Sequence, residues 1–526
     1  MNTFPWITLI TLIPLGGAVV IALAGRKPSG GTRSLALVFS LIPGLFALLL
    51  ASKFEQSVGS ARPMAFGPDP SVMQFVERHA WIPTLGVDYH VGLDGLGLSM
   101  VLLTSFVIPF AIAATRGIKT GQGAYFALML TIQGALYGAF TSMNFFHWFI
   151  FWELSLIPAY FLVRLWGGTD RRRAANQFFV YTMVGSIALL LAMVAVFLVS
   201  GTFDFAALSS AAARGDITRN LESKLGWLSV FSNGKGLGLF VFCLALLGFA
   251  IKVPLFPFHT WLPLTYTQAP TSTTMVLTGV LSKLGLYGML RILMPVYKEQ
   301  AAQLAAPLLV LACATILLST LAALSQKDLK TILAYSSINH LGYCLLGIFA
   351  LATTRQTPGQ GMEDSVVMLF NGVSLQMFNH GVIASSLFCF VGFLESRPEG
   401  CPNLVNSGGL RKRAPVLAGL MGVALFASLG LPGLSGFVGE FLIFKGTFGL
   451  AAWAAALCTL GLLLSALFHL NIIQKVFCGP LKEPWLKFSD LTTEEWVTVL
   501  PAIALLFMLG FWPQLLVGIT RHFKGF

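Results

Sequence analysis

The chain has 526 residues, of which 56% are hydrophobic and only 10% charged, and its mean hydropathy is +0.80. Soluble domains carry about 25% charged residues, so the composition excludes a soluble globular protein and leaves no stretch for a soluble catalytic domain. The formal net charge of +12 would suggest nucleic acid in a soluble chain. Here the basic residues sit in short connections between apolar runs, so topology explains them and no nucleic-acid partner is expected.

A helix that spans a bilayer needs ~20 mainly apolar residues, and about fourteen such runs follow one another along the chain. They centre near Leu15, Pro43, Val107, Thr131, Leu156, Leu190, Ala250, Leu281, Cys313, Leu341, Ser385, Ala427, Leu463 and Leu505. The expectation is an all-α polytopic membrane protein in one integral membrane domain, 1–526. Within it, about 1–115 holds the first three helices and about 493–520 the last. The first run, TFPWITLITLIPLGGAVVIALAG, has no basic residue before it and no small-residue cleavage site, so it reads as a retained helix rather than a signal peptide. Two longer polar stretches, Lys53–His90 and Gly201–Lys235, are expected to be short amphipathic or irregular structure.

The connections after the odd-numbered helices carry the basic residues. They include Arg26, Lys27 and Arg33, then Arg116 and Lys119, then Arg171, Arg172 and Arg173. Further along come Lys327 and Lys330, then Arg411, Lys412 and Arg413, and last Lys475, Lys482 and Lys487. The alternate loops are neutral or mixed. Basic loops stay cytoplasmic, which places both termini on the outer side.

Two helices are interrupted. The seventh contains Pro254 and Pro257 in KVPLFPFHTWLP, and the twelfth contains Gly430, Pro432, Gly433 and Gly436 in SLGLPGLSGFVGE. Such breaks free backbone groups that neighbours or water must satisfy. A pair of them in corresponding halves suggests two inverted five-helix repeats, about 119–295 (helices 4–8) and about 302–476 (helices 9–13). The polar positions repeat with the same offset: Lys252 and Glu440 are 188 residues apart, Glu153 and His340 187, Lys283 and His469 186.

Four charges lie deep in apolar runs: Glu153 in HWFIFWELSLIPAYFLV, Lys252 in LGFAIKVPLFPF, Lys283 in VLTGVLSKLGLYG and Glu440 in LPGLSGFVGEFLIF. Each costs at least ~2.5–3.5 kcal/mol at the bilayer centre, and such residues mark ion or proton paths. Lys252 is the natural partner of Glu153. A static ion pair that fixes helix packing is the plainer alternative, but it would need neither broken helices nor further polar groups. Lys283 has no acidic partner on its own helix and suits a proton carrier; a lysine snorkelling to an interface is the alternative. Glu440 follows the second break, as a relay group or an acceptor for freed amides. His259, His340, His380 and His469 lie in or beside apolar runs and suit a relay at physiological pH, though each could equally be a satisfied core residue. Tyr335, Ser336, Ser337 and Asn339 precede His340 and could hold ordered water. The seven cysteines, Cys243, Cys313, Cys344, Cys389, Cys401, Cys458 and Cys478, form no ligand spacing, so no iron–sulfur, zinc or disulfide framework is expected.

Six segments in this order carry a resemblance: FWELSLIPAYFLVRLWGG with RRRAANQFFVYT, GFAIKVPLFPFHTWLP, SQKDLKTILAYSSINHLGY, QMFNHGVIASSLFCFVGFLESR and LPGLSGFVGEF. The chain resembles the antiporter-like, proton-translocating membrane subunits of respiratory complex I, and the glutamate after the second break is similar to their M-type branch. The likeness runs from GLDGLGLSM at Gly92 to the last helix. It implies a subunit of a proton-translocating NADH:quinone oxidoreductase, in a bacterial inner membrane or a thylakoid, beside L- and N-type antiporter-like chains and small membrane chains. It implies that Glu153 and Lys252 work as a pair, that Lys283 is the central carrier, that His340 and His380 line a hydrated axis, and that Glu440 is the terminal group. NADH or ferredoxin, flavin, iron–sulfur clusters and quinone would belong to partner subunits, with no cofactor in this chain and no metal. Leu264, Tyr266 and Gln268 stand where the family has acidic, histidine and acidic residues, and Gln177 where it has a basic one. An Mrp-type cation/proton antiporter, a membrane hydrogenase, a carbon-dioxide-hydrating variant and a spacer that has lost transport remain as alternatives.

Overall fold

The computed structural model describes residues 4–24, 31–54, 73–225, 235–355, 362–398, 400, 403–405 and 407–520. Arg26, Lys27, Cys401 and parts of the two polar stretches lie outside the described residues. Twelve helices among the described residues are long and apolar enough to cross a membrane, and two shorter apolar helices abut the expected breaks. Every predicted centre falls on a helix.

The chain opens with α1 (Trp6–Ala24) and α2 (Gly31–Lys53), then runs through β1 (Gln74–Ile82) and β2 (Val87–Leu93) into α3 (Gly95–Ala114). Next come α4 (Gln122–Thr141), α5 (Phe145–Trp166), α6 (Arg171–Ser200), α7 (Phe205–Ala213) and α8 (Asp216–Leu225). The first broken passage is α9 (Lys235–Lys252) followed by α10 (Trp261–Gln268). The next passage is pieced from α11 (Thr271–Val276), a π-helical turn Leu277–Leu281, α12 (Lys283–Gly288), a second π turn Met289–Leu293 and α13 (Met294–Val296). Then follow α14 (Lys298–Gln303), α15 (Ala305–Ser325), α16 (Leu329–Leu351), α17 (Met362–Glu395), α18 (Pro415–Ser428), α19 (Ser435–Ile472), α20 (Thr493–Phe511) and α21 (Gln514–Thr520). The expected twelfth and thirteenth helices meet in α19, where non-helical Ala451 (φ −148°, ψ 69°) separates its two parts.

The stretch before His90 corrects an expectation. Its described part is an antiparallel β-hairpin, with Gln74 paired to Leu93 and Glu77 to Val91, rather than irregular structure. Val91, Tyr89 and Trp81 favour pleated backbone, and Gly86 takes φ +61° in the turn, which costs glycine little. The hairpin is stitched to other loops of the same face. The Met143 amide donates to the His90 carbonyl at 3.0 Å, the Phe145 amide to the Phe203 carbonyl at 2.9 Å, and the Phe205 amide to the Met143 carbonyl at 3.0 Å.

The basic loops gather on the other face. Arg33 and Arg116 both pair with Glu494, at 3.0 and 3.4 Å. Lys330 pairs with Glu395 at 3.0 Å and donates to the Ala269 carbonyl at 3.1 Å. Arg397 grips Glu495 with two hydrogen bonds of 3.0 and 2.9 Å. Charge alternation along the sequence therefore matches which loops share a face.

Both breaks are satisfied by neighbours. The Trp261 indole donates to the Ile251 carbonyl at 2.9 Å, and the Phe256 amide to Thr315 Oγ1 at 3.0 Å; the Phe256–Pro257 peptide is cis. At the second break the Leu431 amide donates to the Phe426 carbonyl at 3.0 Å, and Asn379 Nδ2 to the Ser435 carbonyl at 2.5 Å. Gly430 takes φ +79° there, and a methyl group on it would stand 2.7 Å from Glu440 Oε2. The span Thr271–Val296 is completely enclosed by other helices. The pieced helix is therefore the centre of the fold, not its lipid-facing wall.

Candidate proton-relay site

Lys283 opens α12 between the two π turns and is fully buried. A π turn inserts an extra residue into the helix and often marks a functional site. The Lys283 ammonium donates to the Thr278 carbonyl and to His380 Nδ1, the latter at 2.7 Å. His380, from α17, lies 5.5 Å ring to ring from His340 of α16. A small cavity between them, about the size of one water, is lined by Ser336, Ser337, His340, His380 and Ser428.

His340 leads on to Glu440. Its Nδ1 lies 3.1 Å from Glu440 Oε1, and its Nε2 3.0 Å from Ser428 Oγ. Gln376 Nε2 donates to the same Glu440 oxygen at 3.1 Å. Ser428 Oγ also meets His469 Nε2 at 2.9 Å, and His469 Nδ1 meets the Ser465 carbonyl at 2.9 Å.

With His469 neutral, the hydrogen-bond partners assign the donors. A carbonyl only accepts, so His469 Nδ1 carries hydrogen. Neutral His469 then accepts at Nε2 from the Ser428 hydroxyl. Ser428 Oγ in turn accepts from His340 Nε2–H. A neutral His340 protonated at Nε2 presents a bare Nδ1 to Glu440 Oε1. Two lone pairs cannot bond at 3.1 Å, so this contact holds one further proton, on the imidazole or on the carboxyl. The His340–Glu440 contact is thus held among buried partners.

The first-half residues are arranged differently. Lys252 ends α9 and is 3% exposed. Its ammonium sits 4.1 Å above the Trp152 ring and makes one long hydrogen bond, 3.5 Å, to Ser155 Oγ. A cation–π contact contributes ~0.5–2 kcal/mol, less than the several kcal/mol that burying an ammonium costs. Glu153, between those two α5 residues, is the carboxylate whose charge reaches Lys252. No direct ion pair joins them, however. Glu153 is only half-buried, and its Oε1 has no hydrogen-bond partner. The expected pair is a neighbourhood, not a contact.

His259 lies apart from the chain of contacts, stacked on Phe256 at 5.7 Å in the first break, with its Nδ1 unpartnered. Gln268, at a family acidic position, instead fastens the loop after α5. Its Oε1 accepts from the Asp170 amide at 2.9 Å and its carbonyl from the Gly168 amide at 2.7 Å. Tyr266 is buried edge-on against Phe388, 6.1 Å away.

Sequence reasoning missed Ser428, which bridges His340 and His469, and Gln376, which donates to Glu440. Gln376 stands four residues before His380, one helical turn on the same face, a signal that could have found it. It also missed the buried ion pair of Arg291 and Asp94, 2.7 Å apart, although Arg291 interrupts an apolar run as Lys283 does. Among the described residues no cluster has the make-up of a metal site, and Cys313 and Cys458, free thiols of α15 and α19, touch at 3.2 Å.

Residues 142–466 match the family model described as NADH:quinone oxidoreductase/Mrp antiporter, TM. The subunit M of NADH-quinone oxidoreductase from Rhodobacter capsulatus is 34% identical over 518 residues, covering 98% of this chain and 94% of its own. A chain of the structure described as respiratory complex I from Thermus thermophilus with bound NADH superposes with TM-score 0.79 at 28% identity, over 98% of this chain and 97% of that one. A chain of the Mrp complex from Dietzia sp. DQ12-45-1b shares the fold, with TM-score 0.75 at 22% identity, over 98% of this chain and 52% of that one. The protein is a polytopic, mostly helical membrane chain that belongs to the NADH:quinone oxidoreductase/Mrp antiporter transmembrane family.

Proposed function

We propose that this chain is an M-type proton-translocating subunit of an NADH:quinone oxidoreductase, working through Lys283, His380, His340 and Glu440. The observation that carries this reading is the buried file from the Lys283 ammonium to the Glu440 carboxyl, hydrogen-bonded at both ends, with the His380 and His340 rings 5.5 Å apart between them.

The proton enters the relay when Lys283 is charged and moves on when the Lys283 ammonium passes hydrogen to His380 Nδ1. One water in the cavity lined by His380, His340 and Ser428 completes the transfer, and the hydrogen-bonded group of Ser428, His340 and Glu440 takes the added proton. Lys252 and Glu153 act as the setting device. Moving charge toward or away from Lys252 changes the field at Lys283, because interactions between charges in this poorly screened interior remain strong over several ångströms. Near-full-length likeness to a subunit M from an NADH-quinone oxidoreductase supports placing the redox reaction in partner subunits. These would hold the flavin, iron–sulfur clusters and quinone, with NADH or ferredoxin as donor and no redox centre in this chain. The basic-loop face is the cytoplasmic one, with both termini outside. Glu440 is the last group toward the outer side, and His259 lines the first break without joining the relay.

The test is the assembled complex in proteoliposomes. Lys283→Ala is expected to leave quinone reduction measurable while protons moved per electron fall several-fold. Unchanged pumping, or purification of the chain without any flavin-bearing partner, would overturn the reading.

A further inference from the structure

The helix that carries Lys283 also carries a second polar column that the relay does not use. Lys283, Tyr287 and Arg291 follow at intervals of four, so they line one helical face and cover ~12 Å along the axis. All three are at most 1% exposed. The Tyr287 hydroxyl donates to the Phe140 carbonyl at 3.0 Å and accepts from Arg291 Nε at 3.3 Å. Arg291 NH2 donates to Asp94 Oδ1 at 2.7 Å, and that oxygen also accepts from the Gly97 amide at 2.8 Å as the N-cap of α3. Asp94 is 2% exposed, and its Oδ2 has no hydrogen-bond partner among the described residues. It directly follows β2, so the column runs from the central lysine to the hairpin face.

The chemistry of this column is that of a seal. Arginine does not give up its proton in a protein, so Arg291 cannot pass one on. The Tyr287 hydrogen is committed to a backbone carbonyl. The remaining free acceptor, Asp94 Oδ2, stands behind the arginine. The Lys283 ammonium is turned the other way, toward Thr278 and His380. An arginine fixed in a permeation path is one way to exclude protons and cations.

We propose that Arg291, held by Asp94 and Tyr287, is a positioning residue that closes a direct exit from Lys283 to the hairpin face. The proton on Lys283 is thereby sent sideways to His380 and Glu440. This inference rests on the relay reading above. It concerns where the proton cannot go.

The test compares the assembled complex carrying Asp94→Asn with Arg291→Met, which removes both charges together, against Arg291→Lys and Tyr287→Phe. Two readouts are taken in proteoliposomes: protons per electron, and passive proton leak with turnover blocked. The double variant is expected to assemble, to leak protons at least several-fold faster and to pump fewer per electron. Tyr287→Phe should show a smaller leak of the same kind, and Arg291→Lys, whose ammonium can release a proton where the guanidinium cannot, should leak as well. A structural role alone would lower assembly without raising leak per assembled complex. Normal leak and stoichiometry in the double variant would overturn the proposal; should it fail to assemble, normal values for Tyr287→Phe would do the same. Lys283→Ala separates the two readings. If it pumps normally the relay itself is wrong; if it fails while the Arg291 variants are tight, only the seal is.

Discussion

Two carboxylates in apolar helices, Glu153 and Glu440, one in each half of the chain, meet their surroundings in opposite ways. Glu440 is closed in, with Gln376 donating to it and His340 in contact, and Gly430 leaving room beside its second oxygen. Glu153 is half-buried and has an unpartnered oxygen, although it lies one residue from Trp152, over whose ring Lys252 sits. The contrast teaches that a charge in an apolar run can be either a fixture or a setting device. A carboxylate whose partners are all internal is itself held in a fixed place. One that reaches the surface of its own chain can respond to a neighbouring chain.

The largest expected difference is in stability. Glu440→Ala strips partners from the buried Gln376 and His340 and is expected to cost ~1–3 kcal/mol. Glu153→Ala breaks no hydrogen bond at Oε1 but takes a carboxylate away from Lys252, and should cost less, up to ~1 kcal/mol. Thermal unfolding of the detergent-purified complex measures both; equal losses would end the comparison. In pumping, both variants should lose protons per electron.

A second expectation sharpens the first-half side. Trp152→Leu removes the ring under the Lys252 ammonium and should cost ~1–2 kcal/mol beyond the lost packing. A cycle with Lys252→Met isolates that coupling, and zero coupling would leave Lys252 dependent on Glu153 alone.

The smallest effect lies outside the membrane, where the hairpin is tied to α7. His90 Nδ1 meets Asp204 Oδ2 at 2.9 Å. Burial by itself would raise the Asp204 carboxyl, but the His90 hydrogen bond, the Ala207 amide and the charges of His90 and Arg78 together hold it below its ordinary value. A carboxyl depressed in the folded state adds stability above its unfolded value of ~3.9, and that stability is lost as pH falls through the lower folded value. Protection of the hairpin amides from hydrogen exchange should therefore include the full Asp204 contribution at neutral pH and drop in strong acid. Asp204→Asn should remove that acid-dependent drop.

Much of this was legible in the residues. Hydropathy placed every expected centre on a helix, and twelve of these helices are long and apolar enough to cross a membrane, because a bilayer forces long apolar runs. Basic loops sorted the faces, and prolines and glycines marked both breaks. The quoted motifs pointed to the family. The hairpin was hidden by the polar surroundings of β1 and β2, whose pairing register exists only when two strands meet. Gln268 looked like a lost functional group and proved to be a loop fastener, because its partners Gly168 and Asp170 are close in space and distant in sequence.

The sequence by itself determined that this is a many-helix membrane chain with Glu153, Lys252, Lys283 and Glu440 stranded in apolar segments, because the cost of burying charge makes each one conspicuous. Only the tertiary structure decided which of them touch. Lys283 reaches His380, and His340 reaches Glu440 through helices up to 100 residues apart, while Lys252 settles on a ring and Arg291 finds Asp94. Hydrogen bonding is directional and short-ranged, so the path of a proton depends on orientations that only the packed helices set.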